Sequence, residues 1–415
     1  MAEPQDATST DQSPSASSAS LTTVDPSGGA EAPDRRVAPG LGDGDGDGLA
    51  VLAALDADLA YPDPPAPTTG SPAPTTGSPE PGPDAPPGVP GFLARARELL
   101  REHPVVDGRS GLAPVLRSMH FHDLEAGESL LETDVPRLRR GGVGAQFWCL
   151  HPPGADSGTA GAGDLAGVLD LIDVVRETVR SAPEGLVVAV RADDVADARN
   201  RGRTAVLLGP APGPALGDSL AALRALHTLG VRSLTPVGSR WTGGPGGLTP
   251  FGHEVVREAN RLGVLLDLSG CPAQTLRRVL AVTRAPALVS HHPEPLDEDL
   301  LRALRAGHGV CMVPCTGTPA EVADALDRVR AVAGAETVAL TGAYDTGLPH
   351  GPGLGDVSGF PRLIAELLER GWSEAEVTGL TWANVLRVLR GTEFAARTAA
   401  ARPAPSRAVI DSLNG

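Results

Sequence analysis

The pattern of apolar and polar positions changes character near residue 91. Beyond it, short apolar runs recur at Val105–Asp107, Ala145–Leu150, Ala205–Gly209, Arg232–Val237, Leu265–Ser269, Ala287–Ser290, Val310–Pro314 and Val338–Thr341. Runs of this length, bounded by Gly, Pro and polar residues, predict strands. Between most of them lie segments with apolar residues at helical spacing, among them Ser219–Leu229, Phe251–Leu262 and Asp297–Ala306. Eight strands alternating with helices over roughly 300 residues predict an α/β chain folded as a (β/α)8 barrel of the TIM type. Chemistry in that architecture sits at the C-terminal strand ends, so candidate residues are sought there.

Residues 1–90 have no such texture. They are rich in Ser, Thr, Pro, Gly and Asp and hold too few apolar residues to offset the entropy of ordering, which predicts a disordered tail and linker. APTTGSP occurs twice in tandem, at Ala66–Pro72 and Ala73–Pro79. The run DGDGDG at Asp43–Gly48 begins like a calcium loop, but its twelfth place is Ala54 where a bidentate Glu is needed, so it reads as acidic filler. Leu49–Ala60 has the pattern of a short, transient helix. The domain plan is thus a tail over 1–90, a barrel over 91–395 and a C-terminal tail over 396–415.

Charge follows the same division. The 415 residues carry a net charge of −16, and residues 1–90 hold 14 acids against 2 bases, so −12 of it lies in the tail. No basic patch of the kind that holds nucleic acid stands out in the barrel region. Every basic side chain is Arg; with abundant Ala, Gly and Pro and scarce Ile, this is the bias of a GC-rich bacterial genome. Cys149, Cys271, Cys311 and Cys315 form no CxxC pair, which predicts reduced thiols and a cytoplasmic setting. The beginning MAEPQDATSTDQ has no basic and apolar leader pattern, and no stretch is apolar enough to span a bilayer, so no membrane is expected as a partner.

Common catalytic signatures are missing. There is no GxSxG elbow and no HExxH helix, and the Gly-rich run at Gly243–Gly247 lacks the Lys and the strand–turn–helix setting of a phosphate loop. His120 and His122 form an HxH pair in an insertion-prone loop. Cys311 and Cys315 fall on one strand face with Val313, which predicts core packing.

Four segments carry a specific resemblance: TDVPRLRRGGVGAQFW (Thr133–Trp148), SLAALRALHTLGVRSLT (Ser219–Thr235), GLTPFGHEVVREANRLGVLLDLS (Gly247–Ser269) and DVSGFPRLIAELLERGWSEAEV (Asp356–Val377). The chain resembles the membrane dipeptidase (renal dipeptidase) family over about residues 97–392. The resemblance implies a barrel with a two-zinc site that hydrolyses small dipeptides. It also implies a zinc ligand, residue by residue, at strand ends where this sequence has other side chains. The family's DGHNDL pattern supplies a His and an Asp, which here are Arg109 and Gly111. The Glu that bridges the metals falls at Ala211, a substrate-facing His at Gly238, and a ligand His at Gly270. His291 alone matches a ligand His. The catalytic Asp of the eighth strand aligns with Ala343, while its neighbour is kept as Asp345, the candidate catalytic acid if the register slips.

Arg offers no lone pair to a metal and Gly and Ala offer no donor, so one ligand of five remains, where zinc sites use three or four. The expectation is a family homologue without cofactor, binding or regulatory rather than catalytic; a further reading is a metal-independent enzyme that uses Arg109 to bind an anionic small molecule. Its expected partners are a dipeptide-like ligand and a second subunit, either a copy of itself or an active dipeptidase. The alternative is a zinc-dependent dipeptidase rebuilt around His291, with His292, Asp267, Asp345 and Cys271 as further donors.

Overall fold

The structure is a computed structural model and describes residues 90–119, 122–127, 130–152, 164–242, 246–400 and 405–414. The expectations placed on the acidic tail, its tandem repeat, the DGDGDG run, Leu49–Ala60 and His120 lie outside the described residues, as do Gly243–Pro245 of the Gly-rich run.

The strands are β1 (Val105–Ser110), β2 (Val143–Trp148), β3 (Leu186–Ala189), β4 (Thr204–Leu208), β5 (Ala211–Pro212), β6 (Ser233–Thr235), β7 (Leu265–Leu266), β8 (Leu288–Val289), β9 (Val310–Pro314) and β10 (Val338–Thr341). All their pairings are parallel. Short bridges join the sheets into a ring: Leu208 to Val231, Asp267 to Leu288, and Ser110 to Tyr344. The path runs β1, β2, β4 with β5, β6, β7, β8, β9, β10 and back to β1, which is the expected eight-membered barrel. β4 and β5 form one path interrupted at Gly209–Pro210, whose peptide bond is cis. β3 was not expected. Its four residues pair with Thr204–Leu207 along the edge of β4 that turns to Val231 at Leu208. A run of four between Glu184–Gly185 and a charged helix is too short to stand out by pattern.

Period-two alternation sorts the strand residues into two layers. Val106, Ala145, Ala205, Leu207, Val310, Met312 and Ala339 belong to one cluster. Val105, Val206, Leu208, Cys311, Val313, Val338 and Leu340 belong to the larger cluster shared with the helices. Cys311 thus packs on the same face as Val313, and all four cysteines are buried and outside any disulfide. Helices begin where the sequence supplies an oxygen: Asp134, Thr249, Asp297, Thr318 and Ser373 each accept from the backbone N–H three residues on. Two of the family-like segments meet in space. Arg137 reaches Asp134 at 3.1 Å and Asp356 at 3.5 Å, and Val357 N–H donates to Glu132 O at 3.1 Å. The last described helix, Ile410–Asn414, buries Ile410, and Arg224 donates to Ser406 O at 2.5 Å, so this end of the chain packs on the barrel domain. No helix among the described residues is long and apolar enough to cross a membrane.

A buried carboxylate closes the ring. Asp107, fully buried on β1, accepts from Gln146 Nε2 at 2.9 Å on β2, from Gly342 N–H at 2.6 Å just past β10, and from Arg109 N–H at 3.2 Å. Gln146 Oε1 in turn accepts from Trp148 Nε1 at 2.8 Å. The indole can only donate, which fixes the Gln146 amide and requires an acceptor at Asp107. Burial pushes Asp107 up to about 6, against the pull of these donors.

Asp107→Asn sets an amide donor against Gln146 Nε2 and is expected to cost about 1–3 kcal/mol of stability in urea unfolding at pH 7. Wild-type Asp107 binds its proton more tightly folded (about 6) than at its ordinary 3.8. Its contribution is therefore greatest below that ordinary value and is lost as pH rises through 6. The wild type's advantage over Asp107→Asn should grow as pH falls from about 7 to 5; a gap that shrinks would refute the assignment.

Candidate functional site

A cavity of about 1250 Å³ opens at the C-terminal ends of the strands. Its described lining includes Arg109, Gly238, Gly270, His291 and Ala343, together with Pro212, the neighbour of Ala211. Positions scattered over more than 230 residues of sequence converge on one site, as the strand-end rule requires. Arg109 is half-buried at the end of β1 and His291 half-buried past β8, with its backbone N–H on Ser269 Oγ at 2.8 Å. Ala211 is fully buried in β5, paired with Leu234.

Gly111 is closed off by backbone. The loop after β10 zips onto the end of β1, with Gly111 N–H on Tyr344 O at 2.8 Å and Ala343 N–H on Arg109 O at 3.1 Å. A Cβ at Gly111 would lie 2.1 Å from Asp345 O. Ala343 and Asp345 hold this loop in left-handed backbone, at φ 56° and 59°, which side-chain-bearing residues seldom adopt. Gly270 is also left-handed, at φ 67°, and a Cβ there would make ordinary contact with Val237 at 3.7 Å; the cost of adding one is conformational rather than a clash.

The remaining candidates are not gathered around His291. Asp345 is outside the described lining and almost buried. Its Oδ1 accepts from Glu132 N–H at 2.8 Å, and its own N–H donates to Glu132 Oε2 at 2.6 Å. Burial, with the nearby Glu132 carboxylate, raises Asp345 to about 6. Asp267 lies under the cavity floor, accepting from the N–H and hydroxyl of Ser269 and from the N–H and hydroxyl of Ser290. His292 sits in a separate cavity, its ring nitrogens 2.7 Å from Glu294 O and 3.3 Å from Cys271 O. Burial and the Asp267 charge push the Cys271 thiol up to about 12, so it is not a thiolate at neutral pH. Among the described residues no three His, Cys, Asp or Glu side chains converge as metal ligands. At the five positions that the resemblance implies as ligands stand Arg109, Gly111, Ala211, Gly270 and His291, and of these side chains His291 alone has a lone pair to give a metal.

Among the lining residues not singled out from sequence are His151 and Thr235. His151 is buried just past β2, at a strand end the barrel rule points to, but HPP carries no motif. Thr235 closes β6 and is 3% exposed.

The sequence model of the membrane dipeptidase family (peptidase family M19) matches residues 93–403. Dipeptidase 3 of Homo sapiens is 35% identical over 345 residues, covering 74% of this chain and 69% of that protein. Dipeptidase aclJ of Aspergillus oryzae is 34% identical over 366 residues, covering 76% and 86%. Among solved structures, the probable dipeptidase PvdM from Pseudomonas aeruginosa has a TM-score of 0.64 at 18% identity, covering 74% of this chain and 99% of that one. A metallo peptidase from Rhodobacter sphaeroides, liganded with a phosphinate mimic of the dipeptide L-Ala-D-Ala, has a TM-score of 0.59 at 22% identity, covering 69% and 99%. These two structures share the barrel. With the family match spanning the described barrel and the four scaffold segments within it, this chain belongs to the membrane dipeptidase family.

Proposed function

We propose that this family member has left two-zinc hydrolysis and acts by binding rather than by catalysis. One observation carries the reading: of the five positions that the resemblance implies as ligands, Arg109, Gly270 and His291 line one cavity, and among the five side chains only His291 offers a lone pair. A single imidazole does not retain zinc, and a guanidinium lining the same cavity repels a dication. The backbone supports the same reading, because the space for a ligand side chain at Gly111 is filled by Asp345 O.

Elemental analysis of the purified full chain, dialysed against zinc buffer, is expected to find no stoichiometric zinc. A broad dipeptide panel with added zinc, cobalt or manganese should show no hydrolysis. Two tightly held zinc ions, or turnover abolished by a chelator and by His291→Ala, would overturn the proposal.

Restoring side chains alone should not restore the metal. The variant carrying Arg109→His, Gly111→Asp, Ala211→Glu and Gly270→His is expected to stay zinc-free. Gly111→Ala alone should cost about 1–3 kcal/mol in urea unfolding, because the Asp345 segment must give way. A fully stable Gly111→Ala, or a restored chain that binds zinc, would show that the mouth remains open to the family's chemistry.

A further inference from the structure

A smaller cavity, of about 220 Å³, lies at the N-terminal ends of β6 and β7, away from the mouth. Arg191 past β3, His227, Arg232 just before β6, and Glu393 and Arg397 of the helix Asn384–Ala400 are in its lining. Arg232 is half-buried, and its bonds go to backbone carbonyls. Nε donates to Val190 O at 2.7 Å, and Nη1 donates to His227 O at 2.9 Å and Val231 O at 3.0 Å. Nη2 has no acceptor among the described residues, and none of the three acceptors is a carboxylate. A guanidinium taken from water and given only neutral acceptors lacks a counter-charge.

The field in the cavity has the same sign. Burial lowers Arg232 to about 10, against the pull of Asp194 and Glu393. Burial, then Arg232 and Arg261, lower His227 to about 4, so at pH 7 it is neutral and keeps one N–H to donate. The acids nearby have other partners. Asp194 pairs with Arg191 at 2.8 Å and accepts from the N–H groups of Val190 and Arg191. Glu393 turns Oε1 to Ala192 N–H at 2.7 Å. Arg397, 5.9 Å from the Phe394 ring, adds a further cation. The described lining thus holds three arginines against one carboxylate, Glu393. Ala401–Ala404, which follow the helix and lie outside the described residues, include no acid.

We propose that this cavity binds a small tetrahedral oxyanion: inorganic phosphate, or the phosphate group of a small ester. The volume is below the roughly 300 Å³ at which sites for drug-sized ligands begin, and a single oxyanion suits it. Arg232 Nη2 donates to one anion oxygen, and Arg397 and the His227 N–H supply the other donors. The anion provides the counter-charge that the carbonyls cannot. It also ties the start of β6 to the helix Asn384–Ala400.

The test is calorimetric titration of the full chain with inorganic phosphate at pH 8 in about 0.15 M sodium chloride, where screening removes weak surface binding. Phosphate is expected to bind with a Kd of about 1 mM or tighter. Arg232→Gln should lose about tenfold or more in affinity, and Arg397→Ala about threefold or more. Glu393→Gln keeps an acceptor for Ala192 N–H and removes a repelling charge, so it should bind phosphate about threefold more tightly. Circular dichroism checks folding, and Arg397→Ala and Glu393→Gln decide if Arg232→Gln does not fold. Methyl phosphate that competes with phosphate makes an ester's phosphate group an occupant, and methyl phosphate that does not compete restricts the site to the free ion; either supports the site. No binding of phosphate at about 10 mM, or Arg397→Ala and Glu393→Gln binding it as the wild type does, would overturn the proposal.

Discussion

A barrel of short parallel strands has to be locked at the seam where its last strand meets its first, and here the lock is one buried carboxylate. Asp107 accepts from β2 and from the turn after β10 at once, so the seam and the neighbouring strand share an anchor. The direction of every bond in that chain is set by the Trp148 indole, which has a proton to give and no lone pair to receive one. The anchor lies two residues before Arg109 and directly beneath the turn that carries Ala343. The position of the site therefore depends on the same contacts that close the fold.

With that frame intact, the chemistry of the mouth can change without loss of architecture. Metal sites join strand ends through a dication; here backbone pairing between Gly111, Tyr344, Ala343 and Arg109 does the joining. Of the acids nearby, Asp267 is satisfied locally by two serines, and Asp345 Oδ1 accepts from Glu132 N–H while its buried Oδ2 has no hydrogen-bond partner among the described residues. None of these bonds needs a metal, and Arg109 places a fixed positive charge in the lining. A barrel mouth is a set of converging backbone ends, and what it does depends on which side chains those ends carry.

Most of the ring was legible in the sequence because its strands are fully apolar runs separated by helices of clear periodicity. β3 was not, because four residues between polar turns give no period to detect, and β5 was not, because Ala211–Pro212 has only two residues and follows a proline. The convergence of Arg109, Gly238, Gly270, His291 and Ala343 followed from the strand-end rule plus the family's spacing. The side chains' partners did not follow. Nothing in the letters says that Asp345 turns to Glu132, more than 200 residues earlier, or that His292 falls into a different cavity from His291. These are consequences of loop backbone, and left-handed residues such as Ala343 carry no signature in their identity.

The approach of Asp345 O to Gly111 also ties one residue to a length of main chain. The carbonyl stands 2.1 Å from where any Cβ would be, so the loop can hold this path only while residue 111 has no side chain. A change at that single codon therefore demands a matching change in a loop already knitted to β1.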